Sequence, residues 1–596
     1  MRRNFIFLMM IVIPFIIGVS CKEEDPAAEI NPLTAKAGND RQAITGAVVQ
    51  LDGSASKDTE GGNFSYLWTL KSKPAGSLAT LKQENTATPE FTPDKPGVFV
   101  LELTISRAQW SSKDEVQITV SGESIPQMVE ISEDITSDLV LEDVFTDDWT
   151  KPDYLVTTSI GLEAKLTIKP GVKVAFAKDA VFTVRSTGTV VSEGGTSEES
   201  RIYLTGKTET TGFWGGIVFQ SGSINNTIIY TSLAFAGANP SQQPYAAGVF
   251  AESGSRIKIE HSFFTENTGF GIYVSPDAEL ATFVSNYMKA GPGEEYSIAL
   301  PAVEVAKISA DCQFWNGNIL VNTASLSEGI KHEWGIFNYT LEKGLNIING
   351  AGLQLYGGTQ LRIAQDHKIA AQNGGYIWAD GTEASPVLFK GKEEGSGYWK
   401  GIFIENSSNN PSRLNYAGIW SAGSSPLAGD QPASIHLGQQ GKAAINHTSV
   451  NLGGGDGIEA TSSGAVLLSF SANSIREHQG YPMAVSTANV AVIDPLTYFI
   501  NNARNQVRID GNYPVASDQE TVWNGFVQDK MSYHVKGLSK DLVVWSGLKI
   551  AEGVVLEMEA ESRIVVEDAN NRQGYLHLAG TAAKNVTIRS ANNNPG

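Results

Sequence analysis

The feature that most constrains the fold of this chain is a long internal repeat. The stretch AKLTIKPGVKVAF reappears as GAGLQLYGGTQLRIA and again as GLKIAEGVVLEMEA. Tyr154, Tyr339 and Tyr533 stand at matching places, 185 and then 194 residues apart, and a Trp-x-Gly-Ile element recurs at Trp214 and Trp399. A chain with such repeats builds its core by stacking similar units on one another.

Each long unit has a finer rhythm of very short strands, such as LTI, VKVAF, VFTV and IYLT, separated by Gly, Asn or Ser. Such strands are marginal in an isolated sheet but gain hydrogen bonds when coils stack about 4.8 Å apart. At roughly 22 residues per rung, one unit makes about eight rungs. A propeller or sandwich array fits less well, because propeller blades repeat every 40–50 residues or so and use antiparallel hairpins.

The repeat resembles a known family. LTIKPGVKVAF, the Gly195-Thr196 corner, the Trp-x-Gly-Ile element and RIKIEHSFFTENTGFGIYVS resemble right-handed parallel β-helix proteins of the pectate-lyase-like superfamily, over residues 125–596. The resemblance implies an architecture rather than an activity, since this fold hosts lyases, hydrolases, adhesins and inert surface proteins alike.

A separate domain precedes the repeat at residues 34–121. Its strands alternate apolar and polar residues, which predicts a β-sandwich with Trp68 in the core. LDGSAS, YLWTL and FTPDKPGVFVLELTIS resemble the polycystic-kidney-disease (PKD) type of immunoglobulin-like repeat, although RAQW stands where that family usually has an Asp-Gly turn. The resemblance implies a spacer or a contact module. Asp52 and Asp58 are too few for a calcium cage of 6–8 oxygens.

The N-terminus carries a secretion signal, in which an apolar run follows two arginines and ends at Cys21. It resembles bacterial lipoprotein signals, although Gly18 replaces the usual branched aliphatic residue, and this implies lipidation of Cys21. Lys22, Glu23, Glu24 and Asp25 are similar to the export signal of Bacteroidetes-type surface lipoproteins. The alternative is a polar spacer after an ordinary membrane anchor.

Composition narrows the partners and the stabilising chemistry. The formal net charge is −20, which argues against nucleic acid or an anionic membrane surface as a partner. Cys312 is the only cysteine besides Cys21, so disulfides do not hold the body together.

These observations predict an all-β chain in which an immunoglobulin-like sandwich is followed by a right-handed parallel β-helix of about 190-residue repeats. The predicted segments are the signal peptide (1–20), an acidic tether (21–33), the PKD-type sandwich (34–121), a linker and cap (122–153), two units (154–338 and 339–532) and a partial unit (533–596). The partial unit stops before its expected tryptophan, so we expect either a fragment or a last rung capped from outside.

The sequence offers no complete catalytic or metal-binding motif. Arg256-Ile257-Lys258 matches one short element of the polygalacturonase pattern, but the other elements are missing and both charged residues should point outward. Asp456 lies in a glycine-rich stretch and is interpreted as a turn cap. No histidine pair has metal-ligand spacing. We therefore predict no catalytic residues, no metal and no cofactor.

The aromatic residues divide into repeated and unrepeated ones. Trp214 and Trp399 recur with the repeat and are interpreted as corner-packing residues. Aromatic residues that occur in one unit only are better candidates for stacking on sugar rings. These are Tyr376, Trp378, Tyr398 and Trp420.

The sequence thus favours a bacterial lipoprotein anchored to outer-membrane lipid through Cys21 and displayed at the cell surface. We expect a non-catalytic binding, adhesion or structural role, with the β-helix contacting a glycan or a surface protein. The alternative is a surface polysaccharide lyase or glycoside hydrolase with a divergent site. That alternative predicts a mixed-charge cleft with perturbed carboxylates from adjacent rungs.

Overall fold

A computed structural model describes residues 30–122, 127–511, 513–528, 531–536 and 541–591. The chain separates into two compact units, Met1–Pro126 and Gln127–Gly596. Each unit is described by itself below.

The first unit is a sandwich whose core surrounds Trp68, which is 1% exposed. Its longest strands form a hairpin closed by the two residues between Arg107 and Trp110, with Ala108 in the left-handed region at a φ of 51°. The turn therefore forms without the Asp-Gly pair usual in this type of domain. Most strand pairs are antiparallel, but the first strand of the largest sheet pairs in parallel with the last strand of the unit.

The strands of the first unit, in hydrogen-bonding order, make a four-stranded sheet (Arg41–Ile44, Trp110–Ser121, Gly97–Arg107, Ser65–Ser72), a three-stranded sheet (Val49–Gln50, Glu90–Phe91, Leu81–Lys82) and a pair (Leu33–Thr34, Lys57–Asp58).

The second unit is a coil of stacked short strands, and its sheets are built from parallel pairs throughout the described residues. At the end of each strand the chain turns. One rung later it forms the next strand of the same sheet, which pairs in parallel with the previous one. The pattern confirms the predicted all-β fold with a parallel β-helix.

Five long sheets form the faces of the coil. Sheet 1 has eight strands: Val129–Ile131, Tyr154–Val156, Lys173–Phe176, Ile202–Gly206, Thr231–Ala234, Phe263–Thr265, Tyr287–Lys289 and Gln313–Trp315. Sheet 2 has 14 strands: Ile160–Leu162, Val181–Val184, Gly216–Phe219, Ala247–Ala251, Phe270–Val274, Tyr296–Leu300, Asn318–Val321, Asn338–Leu341, Gln360–Ile363, Val387–Gly391, Ala417–Trp420, Ser449–Asn451, Ser474–Arg476 and Tyr498–Ile500. Sheet 3 has six strands: Leu139–Leu141, Lys165–Ile168, Thr189–Glu193, Thr227–Ile229, Arg256–Glu260 and Glu279–Val284.

Sheet 4 has 11 strands: Ser325–Leu326, Leu345–Ile347, Lys368–Ala371, Gly401–Ile404, Ala433–Leu437, Asp456–Ala460, Met483–Ser486, Gln506–Asp510, Ser532–Lys536, Val555–Met558 and Thr587–Ser590. Sheet 5 has six strands: Lys331–Trp334, Gly352–Tyr356, Tyr376–Asp380, Ser412–Asn415, Lys442–Asn446 and Val466–Ser471. Two small sheets complete the unit, one with Thr521–Trp523, Gly547–Ile550 and Tyr575–Leu578, the other with Asp541–Val544 and Arg563–Val566. The helical elements of the described chain are a 3-10 turn, Val305–Lys307, and a short α-helix, Thr487–Val490.

The core is made of columns of apolar side chains that point into the coil from successive strands. In sheet 2 one such column runs in register from Ile160 through Phe182 and Ile217 to Phe499. Its members are almost fully buried. This stacking is what makes such short strands stable, because every inward side chain packs against the rungs above and below.

The rungs are longer than the length assumed from the sequence. Ile160 and Phe499 lie in the first and last strands of sheet 2, 13 register steps apart. Their separation along the chain gives about 26 residues per rung, inside the range of about 20–45 residues typical of stacked repeats. The difference lies in loops that leave the coil between strands, such as those at residues 235–246 and 423–432.

The two repeats are rotated relative to each other. Tyr154 lies in sheet 1, whereas its repeat partner Tyr339 lies in sheet 2. Likewise Gly216, next to Trp214, lies in sheet 2, whereas Gly401, next to Trp399, lies in sheet 4. Equivalent positions therefore occupy different faces of the coil.

Candidate functional site

The residues predicted to carry the lipid and the export signal are Cys21, Lys22, Glu23, Glu24 and Asp25. They lie outside the residues that the structure describes. Among the described residues, no helix has the length and apolar character needed to cross a membrane.

The repeated tryptophans are structural, as predicted. Trp214 and Trp399 are completely buried, and each indole donates its N–H to a backbone carbonyl, at 2.8 Å and 2.7 Å. Trp214 also stacks on Phe176 with the ring centroids 4.0 Å apart.

The unrepeated aromatic residues differ in how accessible they are. Tyr376 is buried, and Trp378 is covered by the guanidinium of Arg413, 3.9 Å from the ring centroid. Tyr398 is partly buried, whereas Trp420 is 44% exposed. Trp420 is thus the most accessible stacking surface of the four.

Arg256 and Lys258 point outward, as expected, while Ile257 between them is fully buried. Arg256 pairs with Glu279 at 3.2 Å and Lys258 with the carboxylate of Glu260 at 3.3 Å. Their contacts are those of a solvated, ion-paired face.

Asp456 is not the turn cap inferred from its glycine-rich surroundings. It begins a strand of sheet 4 and is 5% exposed. One carboxylate oxygen accepts the backbone N–H of Tyr481 at 2.8 Å. The other has no hydrogen-bond partner and lies 3.7 Å from a guanidinium nitrogen of Arg508. Asp456 therefore belongs to a buried charged cluster.

This cluster centres on a column of outward side chains in sheet 4, which we call the charged column. It follows the strand register from one rung to the next and consists of His436, Glu459, Ala484, Arg508, His534 and Glu557. Strand alternation explains the arrangement, since the inward neighbours Ile435 and Ile458 fill the core.

A small residue in the charged column permits its central ion pair. Ala484 lies on the strand between those of Glu459 and Arg508 and is in register with both residues. Because the alanine side chain is short, Arg508 reaches across it and brings a guanidinium nitrogen to 2.8 Å from the Glu459 carboxylate. Side-chain exposure is 6% for Glu459 and 16% for Arg508, so water screens this pair weakly.

Tyr481 supports the arginines of this face. Its ring lies 5.1 Å from the guanidinium of Arg504 and 5.6 Å from that of Arg508. The Tyr481 hydroxyl accepts a hydrogen bond from Arg504 at 2.8 Å and lies 3.0 Å from Nδ1 of His534. These contacts support Arg508 with a flat, electron-rich surface.

A pocket of about 500 Å³ opens beside the charged column. The loop that follows Trp420 forms one wall, because Leu427 packs on Ala370 and Phe403, the apolar residues that precede His436 in the same column. The pocket is lined by Ala428, Gly429, Asp430, Gln431, His436, Glu459, Thr461, Ser462, Arg508, Asp510 and Lys536.

The electrostatics of the pocket are set by burial. Burial lowers the pKa of His436 to about 4, so this imidazole is neutral at pH 7. Burial raises the pKa of Glu459 above its ordinary value, while the charge of Arg508 acts in the opposite direction. Burial likewise raises the pKa of Asp456 and lowers that of His534.

The first repeat provides an internal comparison. In sheet 2 the equivalent column is apolar. Phe250 stands at the place of His436, Tyr273 at that of Glu459 and Leu320 at that of Arg508. These residues join a hydrophobic cluster in which Phe250 stacks on Tyr273 at 5.0 Å. The charged column, which begins in the second repeat and continues into the third at His534 and Glu557, is therefore not required by the scaffold.

One other pocket is less suited to chemistry. A groove of about 770 Å³ in the first unit has Arg41 and Asp52 as its titratable groups, and both are engaged by neighbouring turns and strands. Within the described ranges, no group of three or more His, Cys, Asp or Glu residues is arranged to hold a metal ion.

Sequence inspection missed this site, because its side chains come from strands on different rungs and form no local motif. A signal was present, since these are positions where the aligned repeats differ. Comparing His436 with Phe250 and Arg508 with Leu320 would have indicated the column.

Comparison with known proteins bears on the first unit. A family model described as a PKD domain matches residues 37–120. A search of curated proteins gave no match.

Three solved structures are similar to parts of the chain. A nucleoside hydrolase-related hypothetical protein from Saccharophagus degradans, described as associated with carbohydrate metabolism, is 20% identical, with a TM-score of 0.14; the match covers 15% of this chain and 25% of that protein. The chain thus spans about a quarter of its length. The PKD domain of the KIAA 1837 protein is 28% identical, with a TM-score of 0.14 and coverage of 17% and 98%. The PKD domain of human KIAA0319 is 21% identical, with a TM-score of 0.15 and coverage of 18% and 97%. From the family match, residues 37–120 are a PKD domain, followed by a parallel β-helix.

Proposed function

We propose that this protein is a bacterial lipoprotein held at the outer surface of the cell through Cys21, and that it binds a glycan in the pocket beside the charged column. The observation that carries the binding role is the pocket itself, which combines buried charges with neutral hydrogen-bonding groups. Convergent polar groups of this kind fix the orientation of a bound ligand.

The chemistry of the lining suits a polyhydroxylated ligand. Asp430 offers an acceptor, and Thr461 and Ser462 offer hydroxyl groups. Each can pair with a sugar hydroxyl, which both donates and accepts. The PKD domain is consistent with a binding or adhesion protein, in which it serves as a spacer or a second contact module.

A pocket-filling substitution tests the binding role. The full chain with Cys21→Ser, which avoids lipidation, is screened against a panel of immobilised oligosaccharides. Ser462→Trp places a large side chain in the pocket and should abolish binding. Ser232→Trp makes the same change on a partly exposed strand position of the first repeat and should leave binding unchanged. Retained binding by Ser462→Trp would reject the pocket as the binding site.

Protease treatment of intact cells tests the proposed location. External protease should digest the wild-type protein. A variant with residues 22–25 replaced by alanine should keep its lipid but become protected from the protease. Equal digestion of both would show that these four residues are not an export signal.

A second candidate function is catalysis on a polysaccharide. Glu459 and His436 are buried neighbours in the strand register. Burial raises the pKa of Glu459 and lowers that of His436, as in acid–base pairs of enzymes. Incubation with polysaccharides should then release new reducing ends or unsaturated products. Turnover that is lost in both His436→Ala and Glu459→Gln would replace binding with catalysis as the function of this pocket.

A further inference from the structure

We propose that the outer face of sheet 2 in the second repeat is a docking surface for an extended acidic segment of another protein. The pocket beside the charged column is lined from sheet 4 and its neighbouring loop, so the two surfaces are separate. The inference therefore goes beyond the proposed function and does not depend on it.

The surface, which we call the basic face, consists of the outward side chains of five consecutive strands of sheet 2. These strands contain no Asp or Glu, although the formal net charge of the chain is −20. Their inward residues, such as Phe389, Ile419 and Phe499, are buried in the core, so the alternate residues face outward. In strand register the outward residues make two columns: Lys390, Trp420, Asn451, Arg476 and Ile500, and beside them Leu388, Gly418, Ser449, Ser474 and Tyr498.

Two cations of the basic face are available to a partner. Within the described ranges, neither Lys390 nor Arg476 forms an ion pair. They stand three register steps apart, which is about 14 Å at the spacing of stacked strands. Arg362, on the preceding strand, is instead bound to Glu295 at 3.1 Å. Unpaired cations on an otherwise acidic protein attract the carboxylates of a partner.

Trp420 provides an apolar contact between these cations. Its indole lies over Gly418, where an added Cβ would come within 3.2 Å of Nε1, and the side chain is 44% exposed. Tyr498 and Ile500 are exposed at the end of the same face. Exposed Trp, Tyr and Arg are the residues that carry most binding energy at protein interfaces, and an aliphatic side chain such as Ile500 adds contact for apolar side chains. This composition favours a protein partner over a polyanion that offers charge alone.

The size of the basic face indicates the shape of the partner. From Lys390 to Ile500 it spans four register steps, about 19 Å, and it is two columns wide. This is small beside the roughly 800 Å² per partner of a stable globular interface, and it suits a peptide segment. In an extended peptide, residues i and i+4 lie about 13 Å apart and point to the same side. Acidic residues at i and i+4 can therefore reach Lys390 and Arg476, while an apolar residue at i+2 contacts Trp420.

The first repeat shows that these features are not required by the scaffold. Its counterpart of the basic face lies on sheet 1, where Ala234 stands at the place of Trp420. Lys289 stands at the place of Arg476, but it is paired with Glu266. The exposed tryptophan and the unpaired cations thus occur together in the second repeat.

Fluorescence anisotropy of labelled synthetic peptides, titrated with the full chain carrying Cys21→Ser, tests the proposal. The probe is the peptide Ser-Glu-Ser-Leu-Ser-Glu-Ser. One control peptide has Gln in place of both Glu residues, and the other has the same composition with the two Glu residues side by side. We expect the probe to bind at least about tenfold more tightly than either control at low salt, and to lose this advantage at high salt.

Substitutions locate the binding. Trp420→Ala should weaken binding of the probe by about tenfold, and Lys390→Gln and Arg476→Gln by about threefold each. Trp315→Ala is the matched control, because Trp315 is an exposed tryptophan of sheet 1, and it should bind the probe like wild type. Ser462→Trp, which fills the pocket, should also bind the probe like wild type, so a failure of this proposal is distinguishable from a failure of glycan binding.

Three results would overturn the proposal. Equal affinity for the three peptides, or equal effects of Trp420→Ala and Trp315→Ala, would show that the basic face does not select an extended acidic segment. Dextran sulfate that binds with the same dependence on Trp420 would assign the face to polyanions. Salt-sensitive dimers in sedimentation equilibrium that are lost in Trp420→Ala would assign it to a second copy of this chain.

Discussion

Removing the cation of the Glu459–Arg508 pair should destabilise the charged column by a calculable amount. In Arg508→Met the methionine keeps much of the apolar stem, but Glu459 is left buried without a counterion. A carboxyl in this position takes up a proton instead of remaining charged. The cost at pH 7 is then the free energy of protonating a group with an ordinary pKa of 4.5. At 1.36 kcal/mol per pH unit this is at most about 3.4 kcal/mol for Glu459. The loss of the Arg508 charge beside Asp456 adds to it.

The same reasoning fixes the pH dependence. The unfolded chain holds Glu459 charged at pH 7, whereas the folded variant holds it protonated, so the folded variant gains stability as the pH falls. The part of the destabilisation that comes from Glu459 should shrink to about 0.8 kcal/mol at pH 5. Hydrogen exchange of the backbone amides in Asp456–Ala460 measures it locally, which suits a repeat protein that need not unfold in one step.

Two companion variants separate the buried charge from other effects. Arg508→Met combined with Glu459→Met should restore the part of the lost stability that comes from Glu459, because that carboxylate is then absent. Asp456, 3.7 Å from Arg508, still loses its nearest cation in both variants. Arg256→Met, at an exposed pair with Glu279, should cost less than about 1 kcal/mol. A loss in Arg508→Met that does not change with pH, or is not rescued by the second substitution, would refute the argument.

Three further predictions concern other parts of the chain. Burial lowers the pKa of His478 to about 4. As the pH falls below 6.5 the imidazole is therefore protonated in the unfolded state but not in the folded state, and at pH 5 the free energy of unfolding should be lower by about 2 kcal/mol. Denaturation of wild type and His478→Gln at several pH values checks it. Trp399→Ala should cost about 3–5 kcal/mol in denaturant titrations, and Trp420→Ala about 0.5. Labelled fatty acid should attach to the wild-type chain but not to Cys21→Ser, and equal labelling would reject the lipid anchor.

The sequence was sufficient to predict the architecture. The recurring tyrosines and the Trp-x-Gly-Ile elements revealed the repeat, and the brevity of the strands required stacking. The alternation around Ile257 predicted which side chains face the core. These features are local or periodic, and therefore visible in a single chain.

The rung length and the face of the coil on which a given residue lies could not be predicted in the same way. The loop ending near Leu427 adds residues outside the coil, and nothing in its composition states where it packs. The charged column depends on register between strands far apart in sequence, such as those of Glu459 and Arg508. Asp456 was misinterpreted for this reason, since its glycine neighbours suggested a corner while its charged partner, Arg508, lies two strands away in sheet 4.

The rotation between the repeats limits how large any one binding surface can become. A duplicated segment that returned to the same face would lengthen an existing footprint along the coil. Here the copy turns to a neighbouring face, so the counterpart of the charged column, at Phe250 and Tyr273, lies on another sheet and does not continue it. From His436 to Glu557 the charged column covers five register steps, about 24 Å at the spacing of stacked strands. Duplication in this chain therefore places the copies of a surface on different faces of the coil and does not extend any one binding surface.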